Sequence, residues 1–260
     1  MSDLSIGSPA TGDRVFIRNL VTVMAVILVS GFVVQLAAGR SSFNAPLIVH
    51  AHAFVFMGWV DIVMMQAWLA GAGNMKLHQQ LGKLACVWAI GLLIFGTWVT
   101  VAAVQSGRTP FFFQPQHFIV ANPLSLVAAM GLLGAAVMLR HRPDWHARLQ
   151  VGSFMLLMGP GFGRLLPMPL LPPYAFEIAG LIAIVFPVFG ILRDWRVLGR
   201  PHPAWFWAIG VLIAVTLLVR VIGLSPVGAG VYEAVVAGTP LEGTSGLDYL
   251  PPPGPPPAPS

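Results

Sequence analysis

Histidines placed at opposite ends of apolar runs carry most of the chemistry legible in this chain. The stretch Leu47–Gly82 opens with His50 and His52, holds a single carboxylate, Asp61, and closes with His78-x-x-Leu81-Gly82. A weaker copy follows: His117 lies 67 residues after His50, and His146 lies 68 after His78. The second members share a local pattern, His78-Gln-Gln-Leu81 and His146-Ala-Arg-Leu149, each with a base close by, Lys83 and Arg148. Imidazole ligates iron, copper and zinc alike. Two imidazoles on opposite sides of one ion are what a six-coordinate haem iron needs.

His50 and His52 compete for one direction, because two residues turn a helix by about 200°. His50 keeps the spacing of the repeat and shares a stripe with Phe54, Met57, Asp61 and Trp68, so it is the expected ligand, with His52 the alternative. Asp61 follows His50 by eleven residues, or about three turns, and returns to the same face. A carboxylate at that depth must be paired or protonated. It reads as a proton relay, as a hydrogen-bond partner for a cofactor or ligand nitrogen, or as a protonated group bonded to a neighbouring helix. Arg164 is expected near the depth of His50 and His117. Its fork suits a carboxylate such as a haem propionate, and a salt bridge to Glu177 is the competing reading. Lys83, Arg142 and Arg148 would serve propionates on the other side, or act only as topology signals. The bland reading of the histidines is as polar anchors at helix ends, and His141 and His202 are assigned no more than that.

The elements that must position these groups are membrane spans. The chain is 57% hydrophobic and 9% charged, against roughly 25% charged in soluble domains. With a mean hydropathy of +0.80, it would not stay in water. A pI near 10.1 does not point to nucleic acid, because the bases are spread between apolar runs without interleaved aromatics. Runs of about 20 apolar residues predict seven spans, at 16–38, 46–70, 81–104, 117–139, 149–166, 174–192 and 204–223. The fifth is expected to break at Gly159-Pro160-Gly161-Phe162-Gly163, and Pro123 to bend the fourth. Placing Lys and Arg on the cytoplasmic side divides them ten to four, which predicts a cytoplasmic N-terminus and an extracytoplasmic C-terminus in a bacterial inner membrane.

The expected division is therefore a cytoplasmic segment at 1–15, a seven-helix all-α membrane domain at 16–223 whose helices 2–5 form a four-helix core, and a Gly/Pro-rich tail at 224–260. The tail ends in Pro-Pro-Pro-Gly-Pro-Pro-Pro and is expected to be disordered apart from a short helix around Val231–Ala237. The polar start before the first run reads as no cleavable signal. Cys86, the single cysteine, excludes an internal disulfide and is expected to be a small core residue. Phe111–Phe113, Trp145, Trp205 and Trp207 are expected at the membrane interfaces.

In this topology spans two and four start on one side, and three and five on the other. His50 and His117 then share one depth, and His78 and His146 the other. The arrangement resembles the transmembrane diheme cytochromes b of the ascorbate-reducing type, over about Pro46–Leu166. In that family helices two and four hold one haem, and three and five the second. The resemblance implies haem b, one or two per chain, ligated by His50 with His117 and by His78 with His146, and an electron donor and acceptor as partners. The HxH…Q…HxxLG string also resembles one in uncharacterised bacterial multispanning proteins, which implies no activity. Two further readings remain: a non-enzymatic accessory or assembly subunit of a larger membrane complex, and a proton-coupled transporter using Asp61. No nucleophile–base set, nucleotide loop or carboxylate pair for acid–base work is visible.

Overall fold

A computed structural model describes residues 9–41 and 43–252, with side chains from residue 12 onward. Residues 1–8 of the expected cytoplasmic segment, and 253–260 of the expected tail, lie outside the described residues. The chain is helical throughout its membrane part: α1 (Pro9–Ala37), α2 (Leu47–Gly71), α3 (Met75–Gln105), α4 (Pro115–Met138), α5 (Pro143–Leu156), α6 (Gly159–Leu165), α7 (Ala175–Leu181), α8 (Val185–Leu198), α9 (Pro203–Gly223) and α10 (Pro226–Val236). Helix starts are written in the sequence. Proline occupies the first turn of α4, α5, α9 and α10, where its missing N–H is not needed. Asn74 caps α3 by accepting from the Leu77 N–H. Gly199 ends α8 in the left-handed region at φ 73°, which a Cβ disfavours.

Among the described residues, six helices are long and apolar enough to cross a membrane: α1 from Gly12, α2, α3, α4, α7 running into α8 (Ala175–Leu198), and α9. The expected fifth span is the exception. Pro160 would clash with the carbonyl four residues back, and that residue, Leu156, is where α5 ends. The chain turns through Leu157 and Met158 and resumes as α6. Nearly every residue from Arg148 to Met158 is buried, and irregular backbone at membrane depth is tolerated only inside protein. Pro123, by contrast, does not interrupt α4.

The broken pair still traverses the bundle. Arg148 at one end bonds Asp13 near the start of α1, and Arg164 at the other accepts from Gln35 near its end. We call these the Asp13 end and the His117 end. Helices α2, α3, α4 and α5 pack in sequence, and α1 packs against both α2 and α6. Five crossings thus close a ring around a core that includes Met24, Leu92, Ala129, Phe154 and Met158. Outside it, α9 lies across α4 and α5, and α7–α8 covers α6 and α9. Close approach needs small residues. A Cβ on Gly190 would overlap the Trp205 ring, so Gly190→Ala is expected to lower stability by about 1–3 kcal/mol, read as a drop in melting temperature in detergent.

One expectation of the core reverses: Cys86 is exposed on α3. Trp205, in the first turn of α9, is fully buried. The stretch expected as a tail also folds back across the His117 end. There α10 packs on α3, α4 and α9, Tyr232 is buried, and the Gln116 N–H donates to the Gly246 carbonyl.

Candidate functional site

At the Asp13 end, the first turns of α3 and α5 bring His78 and His146 together. Their ring centres are 6.1 Å apart, with planes at 85°. His78 Nδ1 is 3.2 Å from the Gln66 carbonyl on α2, and His146 Nδ1 is 2.8 Å from the Ala136 carbonyl on α4. A carbonyl oxygen only accepts, so each Nδ1 carries the proton. In the neutral rings each Nε2 is then a bare lone pair. Four helices of the ring thus cooperate: two supply the imidazoles and two fix their tautomers. Carbonyl-held Nδ1–H is the usual outer support of a metal-ligating histidine. Two neutral imidazoles with bare Nε2 atoms are donors of a type that haem iron accepts. Among the described residues no group of three or more His, Cys, Asp or Glu is placed to hold a metal, and a zinc site usually takes at least three protein ligands.

The expected pair at the His117 end is not brought together. His50 is exposed on α2, with Nε2 3.1 Å from the Phe43 carbonyl. His117 is buried on α4, facing α7 and α9, against the edge of Phe176 and the backbone of Gly223. The structure also orients the adjacent pair His50 and His52 oppositely. His52 is the inward one, stacked on Phe56 with ring centres 4.1 Å apart, and its Nδ1 is buried without a partner. The physical reason is the stripe they belong to: Phe54, Asp61 and Trp68 all lie on the exposed side of α2, so His50 goes outward with them.

Arg164 does not pair with Glu177. Its Nη1 donates to the Pro160 carbonyl, and its guanidinium lies 3.9 Å over the Phe32 ring. Glu177 is held by Arg220, with Nη1 to Oε1 at 2.7 Å. That oxygen is also 4.0 Å from His117 Nε2.

Sequence reasoning missed the strongest polar cluster, a buried network at the Asp13 end. Arg148 donates with all five of its N–H groups: Nε and Nη2 to Asp194, Nη1 and Nη2 to Asp13, and Nη1 to the Asp144 carbonyl. Asp194, fully buried, also accepts from Arg193, the His202 N–H and Trp205 Nε1. Arg148 therefore has no donor left for a propionate. The missed signal was pairing: Asp13, Arg193 and Asp194 are charges beside apolar runs, but they lie far apart in the chain.

Beside this network, at the water-facing start of α5, His202 Nε2 meets Asp144 Oδ2 at 3.0 Å. Burial pushes the Asp144 pKa up, but bonds from His202 and from the Trp145 N–H outweigh it, and the net shift is downward from 3.8. The stabilisation from this carboxylate is thus full above pH 3.8 and lost as pH falls through the lower folded value. A melting curve followed from pH 6 to pH 3 should fall less in Asp144→Asn than in the parent.

Helix content, six apolar spans and the buried broken crossing define a polytopic, all-α membrane protein. Compared with known family models, curated proteins and solved structures, the chain gives no match.

Proposed function

We propose that the chain is a membrane electron carrier of the b-type cytochrome class, in which His78 and His146 would hold one haem at the Asp13 end. The observation that carries this reading is the imidazole pair at 6.1 Å with both Nδ1 atoms committed to carbonyls. Haem, when bound, supplies one-electron exchange. The chain holds the two rings, fixes their tautomers through α2 and α4, and limits water through the packing of Leu81 and Trp145 against the core. The bias of Lys and Arg puts the Asp13 end on the cytoplasmic side of an inner membrane. The test is a reduced-minus-oxidised visible spectrum of protein purified from haem-replete cells. A sharp α-band at one haem per chain is expected, and no band would end the proposal.

An accessory subunit of a larger membrane complex is the second reading. It is favoured by Asp61, which is exposed on α2 and turned away from the bundle interior. A stoichiometric partner with no bound chromophore would select it.

A further inference from the structure

Asp61 poses a problem that the bundle itself leaves open. It lies fourteen residues after the start of α2 and ten before its end, roughly 21 Å along the axis at 1.5 Å per residue. That is the middle of any bilayer that α2 crosses. Its side is exposed, no ion pair or hydrogen bond reaches it among the described residues, and Asp61 is flanked one or two turns away by the exposed Phe54, Met65 and Trp68. Lipid tails cannot solvate a carboxylate, and an intramembrane charge of this kind costs a few kcal/mol unless something pairs with it.

We propose that this face of α2 docks a transmembrane helix of another protein that carries a lysine or arginine near its midpoint. Charge complementarity selects the occupant. A second copy of this chain would not supply the cation, because its exposed Lys and Arg, such as Arg40, Lys76, Lys83, Arg140 and Arg196, all lie within roughly two turns of a helix end. A two-fold pairing would instead set Asp61 against Asp61. The flanking Phe54, Met65 and Trp68 supply packing area, and the carboxylate supplies register. The inference rests on the outward placement that also favours the subunit reading, and it is independent of the haem assignment, whose test is spectroscopic.

The experiment uses the full chain with a donor fluorophore at its C-terminus, in phosphatidylcholine vesicles. The probes are acceptor-labelled leucine-rich spanning peptides, one with a single central lysine and one without. Energy transfer is expected to show association about tenfold tighter for the lysine peptide. That preference should vanish in both Asp61→Leu and Asp61→Asn. Melting of Asp61→Leu in detergent is expected to match the parent, because Asp61 bonds to none of the described residues. Equal binding of both peptides, or a preference that survives in Asp61→Asn, would overturn the proposal. So would a loss of stability in Asp61→Leu, or transfer between two labelled copies that Asp61→Leu abolishes.

Discussion

Arg148→Ala is expected to cost the bundle about 3–5 kcal/mol, the range for breaking a buried ion pair by removing one partner. The reason is what stays behind. Asp194 is fully buried, and it would lose its two-pronged partner at 2.8 and 3.0 Å while remaining out of reach of water. Asp13 on α1 would lose its fork as well, so one substitution loosens α1, α5 and α8 together. Arg193 and Trp205 would still hold Asp194, which keeps the loss finite. Arg148→Lys is expected to rescue little, because an ammonium offers three donors where five are used. The measurement is thermal unfolding in detergent of Arg148→Ala, Asp194→Asn and the double variant. Losses that fall well short of additivity in the double variant would show the coupling directly. A change under about 1 kcal/mol for Arg148→Ala would contradict the network, since that is the range of exposed pairs.

Replacing either His78 or His146 with alanine should remove the whole haem band, because the proposed site has only these two imidazoles to hold the group. His50→Ala and His117→Ala should leave it intact, since His50 is exposed and His117 packs against α7 and α9. That contrast separates the proposal from the four-histidine pattern expected from spacing alone. The expected effect is near-complete loss against near-complete retention, in one absorption spectrum per variant. Stability serves as the control: neither imidazole belongs to the Arg148 network, so melting should move far less than for Arg148→Ala.

Much of this architecture is legible in residue order. Hydropathy marks the spans, prolines mark several helix starts, and Gly159-Pro160 marks the interruption between α5 and α6. Repeat spacing also anticipates that His78 and His146 share one depth. Depth, however, is a one-dimensional property. Which way a side chain points depends on rotation about the helix axis, and neighbours set that rotation. His50 and His52 differ by about 200°, and α2 turns His52 inward because Trp59, Val60 and Ile62 are the residues buried in the bundle. No count of spacing favours that over the opposite rotation.

The same distinction governs charge. Sequence alone determined that the chain is a multi-pass membrane protein and where its apolar helices lie, because solvation by lipid acts on each segment separately. Tertiary structure alone decided which charges meet: Arg148 with Asp13 and Asp194, Arg220 rather than Arg164 with Glu177, and, among the described residues, nothing with Asp61. Pairing needs two groups within about 4 Å, and residues 46 or 135 positions apart reach that distance only once the helices have chosen their neighbours.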